Sequence, residues 1–173
     1  MRILLTGGSA NGKSTYAEAL AMRLGKPLYY IAAMMPYGEE GERRIARHRS
    51  MRAEKGFDTY ERYTGLSGLV LPARGTALLE CLCNLTANEM FEPAGAGKVA
   101  AEAVLCGVET LSSQCQHLIV VTNDVGADGG GYDRQTSAYI ETLGRINRAL
   151  AEQFDRVYEL CCGIPLPLKG ALL

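Results

Sequence analysis

One eight-residue segment constrains the fold of this chain more than any other feature: Gly7-Gly8-Ser9-Ala10-Asn11-Gly12-Lys13-Ser14. It matches the pattern G-x-x-x-x-G-K-S and lies between a short apolar run at 3–5 and a helical pattern at 13–24. In that position the glycines let backbone N–H groups surround a phosphate, and the lysine neutralises the outer phosphates. The segment therefore predicts a nucleotide site with Ser14 as a magnesium ligand, the alternative being a glycine turn without a ligand.

Apolar runs and helical patterns alternate along the rest of the chain. Further strands are predicted at 28–32, 58–63, 76–81, 117–122 and 156–161, and the low apolar content of the 58–63 strand suggests a sheet edge. Helices are predicted at 39–55, from the end of the 76–81 strand to residue 91, at 99–115 and at 136–153. This order predicts an α/β protein with a mostly parallel sheet, helices on both faces and one domain over 1–173.

Composition excludes several classes of protein. Eighteen Lys+Arg against nineteen Asp+Glu give a net charge of -1, so the chain lacks the basic excess of a nucleic-acid-binding or lipid-binding protein. Its apolar runs are far shorter than a membrane span, so we expect a soluble, cytoplasmic protein with no membrane partner. The six cysteines form no C-x-x-C pair and no zinc pattern, which suggests reduced, mostly buried thiols.

A nucleotide site of this kind needs a second acid at the end of a neighbouring strand. Glu80 directly follows the apolar run at 76–79, and acids at the carboxyl ends of parallel strands point into the ligand crevice. Asp124, after the 117–122 strand, is the alternative. Either carboxylate could instead be an ordinary loop or helix-capping residue.

Five arginines and one histidine crowd into residues 43–52 of an otherwise neutral chain. On a helix Arg44, His48 and Arg52 would form one stripe. The stripe is either a solvated face whose arginines pair with the glutamates between 39 and 42, or an anion site. Facing a nucleotide, neutral His48 could attack a phosphorus while the arginines stabilise the transferred charge. The other histidine, His117, begins a core strand and is interpreted as structural.

Ordered blocks along nearly the whole chain resemble the bifunctional adenosylcobinamide kinase and adenosylcobinamide-phosphate guanylyltransferase family. The blocks are Ile3-Leu4-Leu5-Thr6-Gly7-Gly8, Gly12-Lys13-Ser14, Ala17-Glu18, Tyr30-Ile31-Ala32, Arg44-Ile45, His48-Arg49 with Arg52, Thr59 with Glu61, Leu78-Leu79-Glu80-Cys81-Leu82, Val121-Thr122-Asn123-Asp124-Val125-Gly126, Gly144-Arg145-Ile146-Asn147, Val157-Tyr158 and Gly163-Ile164-Pro165. The chain departs from the family pattern at Ala10-Asn11, at Phe57 in place of a tryptophan, and in the loop at 127–134.

The resemblance implies a RecA-like P-loop sheet in a homotrimer and two reactions at one nucleotide site. GTP or ATP, with Mg²⁺, phosphorylates adenosylcobinamide, and GTP then donates GMP through a guanylylated histidine to adenosylcobinamide phosphate. By motif position that histidine is His48. The same resemblance assigns nucleotide binding to Gly8, Ser9, Ala10, Asn11, Gly12, Lys13, Ser14, Thr15, Ala33, Met34, Met35, Arg49, Ser50, Met51, Arg52, Glu61 and Glu80, with Ser14 and Glu80 also at the metal.

Two other functions stay open from the residues themselves. A simple P-loop kinase would use the same phosphate segment and would not need His48. A regulatory nucleotide-binding module would use the arginines to dock an acidic partner and would turn over no substrate.

Overall fold

The computed structural model describes residues 1–36, 46, 49, 50, 52, 54–126 and 130–173. Within these ranges seven strands form one sheet in the order β3-β2-β4-β5-β1-β6-β7. The strands are β1 (Arg2–Thr6), β2 (Leu28–Ala32), β3 (Phe57–Glu61), β4 (Thr76–Glu80), β5 (His117–Val121), β6 (Arg156–Cys161) and β7 (Ile164–Lys169). Neighbouring strands are parallel except for the β6–β7 pair, which is antiparallel. The predicted mostly parallel sheet is therefore confirmed, with β3 at an edge.

Four α-helices with fully described bounds and two 3-10 turns lie between the strands. The helices are α1 (Lys13–Leu24), α2 (Leu82–Phe91), α3 (Ala100–Gln114) and α4 (Arg134–Gln153), and the 3-10 turns are Leu66–Gly68 and Gly97–Val99. Within the predicted helix at 39–55, the structure describes six residues. Ala46, Arg49, Ser50, Arg52 and Glu54 are helical, and Lys55 is in a turn. The other residues of that prediction lie outside the described ranges.

Two apolar layers hold the helices against opposite faces of the sheet. Alternate strand residues such as Ile3 and Leu5 pack with Ala17 and Leu20 of α1 on one face. On the second face of the sheet, Leu4 and the residues of β2, β4 and β5 that point the same way pack with α2, α3 and α4. Strands buried on both faces read as continuous apolar runs, as β1, β4 and β5 do. The predicted placement of helices on both faces is confirmed.

Several predicted boundaries shift, and each shift has a local cause. Helix α4 begins at Arg134, two residues before the prediction, because the Asp133 carboxylate accepts hydrogen bonds from two N–H groups of its first turn. Strand β3 starts at Phe57, whose buried ring anchors it, and ends at Glu61. The expectation of mostly buried thiols is wrong for Cys106, Cys161 and Cys162, which are exposed.

Strand β7 was not expected, since the pattern ended the sheet at residue 161. Pro165 and Pro167 argue against a strand in the sequence, because proline has no backbone N–H to donate to a neighbouring strand and is confined to sheet edges. As the outer, antiparallel strand, β7 tolerates both prolines. No helix among the described residues is long and apolar enough to cross a membrane.

Candidate active site

The phosphate segment forms the turn between β1 and α1, at the carboxyl end of the sheet. Lys13, only 6% exposed, donates from Nζ to the carbonyl oxygens of Gly7 at 3.0 Å and of Gly8 at 2.6 Å. Burial lowers the pKa of its ammonium group, since desolvation disfavours the charged form. The loop therefore holds a poorly hydrated cation over its own backbone, in position for a better anionic partner.

The shape of this loop depends on β6 and the turn that follows it. Gly7 has φ 132°, and a Cβ there would lie 2.5 Å from the carbonyl oxygen of Leu160. Further along, the backbone N–H of Gly163 donates to the carbonyl of Asn11 at 3.2 Å. Gly12, left-handed at φ 83°, turns the chain into α1. The glycines of the motif thus serve close backbone approaches as well as the turn itself.

A cavity of about 340 Å³ opens over the loop, and its volume is in the range of sites for small ligands. Its lining consists of Ser9, Ala10, Asn11, Gly12, Lys13, Ser14, Thr15, Glu80, Cys81, Val121 and Asn123. Seven of the eight loop residues assigned to the nucleotide therefore border one cavity, and Gly8 contributes its carbonyl to Lys13.

Glu80 is the acid that reaches the loop. It ends β4, and its Oε1 accepts a short hydrogen bond from Ser14 Oγ while its Oε2 accepts one from the Tyr30 hydroxyl at 3.0 Å. Burial, and then the charge of Glu80, raise the pKa of Tyr30 far above its usual range, so the phenol stays a donor. The alternative acid, Asp124, is exposed and meets the loop through its backbone N–H to Gly7, at 3.3 Å.

The Ser14 hydroxyl and the Glu80 carboxylate suit a magnesium ion. Mg²⁺ prefers oxygen donors and takes one or two protein ligands beside substrate phosphates and water. These two oxygens already lie in direct contact beside the phosphate loop. Among the described residues no cluster of three or more His, Cys, Asp or Glu side chains could hold a metal alone. This donor set therefore fits a metal that arrives with phosphates.

A second cavity, of about 120 Å³, adjoins the first, because Ser14, Glu80 and Cys81 line both. Its lining also includes Glu18, Tyr30, Ala32, Met34, Arg52 and Asn84. Arg52 is only 5% exposed, its guanidinium carbon lies 3.7 Å from the centre of the Tyr30 ring, and its buried Nε has no hydrogen-bond partner. A buried cation with an unused donor in a cleft is electrostatically suited to an anionic ligand.

Of the remaining predicted site residues that the structure describes, Met34 lines this cleft, whereas Ala33, Met35, Arg49, Ser50 and Glu61 line neither cavity. Ala33 and Met34 follow β2, and the Ala33 N–H donates to the Glu80 carbonyl at 3.1 Å. Glu61, at the end of β3, accepts hydrogen bonds from Arg49 and from the Tyr63 hydroxyl. Met35 comes directly after Met34 and is half-buried, and Ser50 is exposed. His48 and Met51 lie outside the described residues.

Sequence reasoning missed several side chains of the cleft. Tyr30 reads as an apolar strand residue, although a buried tyrosine needs a partner for its hydroxyl, and this requirement could have flagged it. Nothing in the sequence around Asn84 indicates that it lines the cleft. The hydrogen bond from Cys81 lowers the pKa of the buried Cys83 thiol, which lies beside the loop. The Asn123 backbone N–H also donates to its sulfur, at 3.2 Å.

His117 lies at the opposite end of the sheet from the cleft, at the start of β5. Burial lowers the pKa of its imidazole, and its buried Nδ1 has no hydrogen-bond partner. This position agrees with a structural interpretation.

Comparison with known proteins gives a consistent result. A family model described as cobinamide kinase / cobinamide phosphate guanyltransferase matches residues 3–168. The bifunctional adenosylcobalamin biosynthesis protein CobU of Escherichia coli K12 is 30% identical over 183 residues, covering 98% of this chain and 100% of the relative. The corresponding protein CobP of Pseudomonas aeruginosa PAO1 is 31% identical over 175 residues, covering 98% of both.

Among solved structures, a KaiC-like protein from Pyrococcus horikoshii OT3 is 14% identical with a TM-score of 0.49, over 91% of this chain and 71% of the other.

The near-complete coverage of the curated relatives extends the sequence agreement well beyond the phosphate loop. It confirms the resemblance seen in the ordered sequence blocks and the expectation of a transferase. The chain belongs to the cobinamide kinase / cobinamide phosphate guanyltransferase family.

Proposed function

We propose that residues 1–173 form one catalytic domain that carries out two transfers at one nucleotide site. The first phosphorylates adenosylcobinamide, and the second moves GMP from GTP, through His48, to adenosylcobinamide phosphate. One observation carries the proposal: the phosphate loop, Glu80 and the buried Arg52 meet around two cavities that share Ser14, Glu80 and Cys81. Membership of the family supports the choice of substrates.

The phosphate loop binds the triphosphate. Its backbone N–H groups and the amino end of α1 face the phosphates, and Lys13 exchanges its two carbonyl acceptors for phosphate oxygens. Ser14 and Glu80 hold Mg²⁺, which when bound offsets the negative charge of the triphosphate. Arg52 adds a cation on the side of the cleft away from the loop.

The kinase step transfers a phosphoryl group to the aminopropanol hydroxyl of adenosylcobinamide. The hydroxyl oxygen attacks the γ-phosphorus, the bond from that phosphorus to the β–γ bridging oxygen breaks, and the hydroxyl proton passes to water. Lys13 stabilises the charge that develops on the leaving diphosphate. GTP or ATP serves as donor.

The guanylyl transfer has two displacements. An imidazole nitrogen of neutral His48 attacks the α-phosphorus of GTP, pyrophosphate leaves, and the N–H proton of the ring passes to water. A phosphate oxygen of adenosylcobinamide phosphate then attacks the same phosphorus, the N–P bond breaks, and the imidazole regains a proton. The product is adenosylcobinamide-GDP. Arg49 and Arg52 supply positive charge to the nucleotide during both displacements.

The two histidines of the chain provide a matched test of the covalent step. Protein incubated with Mg²⁺ and GTP labelled at the α-phosphate should become labelled in the wild type and in His117→Ala, but not in His48→Ala. The adduct should be acid-labile and base-stable, as a phosphoramidate is. Label on His48→Ala, or no label on a wild type that binds GTP, would contradict the mechanism.

Separate assays with adenosylcobinamide and with its phosphate test each half of the proposal. Turnover of both supports a bifunctional enzyme, whereas activity on the phosphate alone would remove the kinase step. Phosphoryl transfer to adenosylcobinamide without labelling would indicate a plain kinase, and no turnover at all would indicate a binding module. Homotrimeric assembly and cytoplasmic location stay predictions, and sedimentation equilibrium tests the first of them.

A further inference from the structure

Tyr30 contacts two charged groups of the cleft that come from distant parts of the chain. Its hydroxyl donates to Oε2 of Glu80 at 3.0 Å, and its ring lies under the guanidinium of Arg52, 3.7 Å from ring centre to guanidinium carbon. Tyr30 and Arg52 are nearly excluded from solvent, at 6% and 5% exposed, whereas Glu80 is half-buried. One side chain of β2 thus joins the end of β4 to the arginine-bearing segment.

The hydroxyl of Tyr30 determines how the Glu80 carboxylate is oriented. A carboxylate held through one oxygen can still rotate about its last bond, but Glu80 is held through both, by Ser14 at Oε1 and by Tyr30 at Oε2. With Oε2 occupied by the phenol, Oε1 is kept facing the Ser14 hydroxyl. The two oxygens that suit a magnesium ion are therefore aligned before any ligand arrives.

The ring of Tyr30 determines where the Arg52 cation lies. Stacking on an aromatic face uses the face of the guanidinium and leaves its N–H groups in their own plane, and the buried Nε of Arg52 has no partner. Glu18, the other acid lining this cavity, forms an ion pair with Lys55. Among the residues that the structure describes, the aromatic contact thus holds Arg52 in the cleft without an ion pair to a carboxylate that would compete with an anionic ligand.

We propose that Tyr30 is a positioning residue of the nucleotide site: its hydroxyl orients Glu80 toward the magnesium position, and its ring holds Arg52 toward the nucleotide. The inference rests on the proposed function of this site and assigns to one side chain two roles that can be separated. It makes Tyr30 necessary for nucleotide affinity although no contact between Tyr30 and the nucleotide is invoked.

Two variants separate the two roles. Tyr30→Phe removes the hydroxyl and keeps the ring, whereas Tyr30→Leu removes both. GTP affinity is measured by calorimetry once with Mg²⁺ and once with EDTA. Tyr29→Phe is the matched control, because Tyr29 is the neighbouring residue of β2 and its buried side chain packs in the apolar layer on the other face of the sheet.

Tyr30→Phe should weaken GTP binding about tenfold in Mg²⁺, the scale of one hydrogen bond to a charged group, and less than about twofold in EDTA. Tyr30→Leu should weaken binding in EDTA as well, by about 30-fold, the scale of a desolvated cation–aromatic contact. Tyr29→Phe should change neither. In a Glu80→Gln background the effect of Tyr30→Phe should disappear, because its target carboxylate is gone.

The controls distinguish failure of this inference from failure of the proposed function. If the wild type does not bind GTP, the proposed function fails and the inference falls with it. If the wild type binds GTP with help from Mg²⁺ and Tyr30→Phe binds equally well, the role in orienting Glu80 is refuted while the function stands. An equal loss for Tyr30→Phe in Mg²⁺ and in EDTA would indicate a merely structural role, and thermal unfolding of each variant checks the fold.

Discussion

Replacing Gly7 by alanine tests whether the phosphate loop depends on its contact with β6. The φ of 132° at Gly7 is a conformation that side chains rarely adopt, and the new Cβ would lie 2.5 Å from the Leu160 carbonyl oxygen, roughly 0.9 Å inside ordinary contact. That oxygen cannot yield easily, because β6 is paired with β1 on one side and with β7 on the other. The loop must therefore move away and carry the Lys13 acceptors with it.

The expected cost can be estimated from the two effects. The unfavourable backbone conformation costs about 1–3 kcal/mol. The forced displacement of packed backbone adds about 1–3 kcal/mol, as overpacking does. We expect Gly7→Ala to lower the free energy of unfolding by about 4 kcal/mol in urea denaturation and to weaken GTP binding at least about tenfold.

Gly25→Ala is the control for backbone conformation alone. Gly25 has a similar φ of 111° after α1, but a Cβ there would meet nothing within 4 Å. It should cost about 2 kcal/mol and leave GTP affinity unchanged. If Gly7→Ala loses no more stability than Gly25→Ala and binds GTP normally, the close approach of Leu160 does not shape the loop.

Three further predictions follow from named contacts. Lys13→Met should weaken GTP binding at least about 100-fold in calorimetry, since charge-assisted bonds to phosphate are lost; an affinity near wild type would refute this. Glu89→Ala should lower the free energy of unfolding by about 2–4 kcal/mol in urea, because the buried carboxylate accepts from the N–H groups of Gly65 and Ala96, at 2.6 and 3.0 Å; a loss below about 1 kcal/mol would contradict it. Hydrogen bonds from backbone N–H groups, that of Thr136 first, lower the pKa of Asp133, so the charge-dependent part of the stability lost in Asp133→Ala should be fully present above about pH 4 and disappear as the pH falls further. Thermal unfolding of both proteins across pH measures this part, and a loss that does not change with pH would contradict the prediction.

Much of the sheet could be predicted because its strands are short, apolar and buried on both faces. The bounds of α1, β2 and β6 agree with the sequence prediction. The miss at β7 has a physical reason: Pro165 and Pro167 read as chain breakers, and only its place at the outer edge makes them compatible with a strand.

Site residues could be predicted where the residue type and its position in the pattern together indicate a role. Glu80, a charged residue that ends an apolar run, was selected from the sequence, and the structure brings it to Ser14. Tyr30 was missed because its role depends on a hydroxyl and a ring face meeting partners 50 and 22 positions away, which no local pattern reveals. His48 lies outside the described residues, so its place on a helix stays a prediction.

The support of the phosphate loop from β6 and its turn has a consequence for synthesis of the protein. The loop motif leaves the ribosome early, yet the groups that shape it, the Leu160 carbonyl and the Gly163 N–H, follow about 150 positions later. A nascent chain that lacks them carries the complete motif without its geometry. Nucleotide can therefore act as a folding ligand only after β6 has docked, and truncation before residue 163 should abolish binding although every residue of the motif is present.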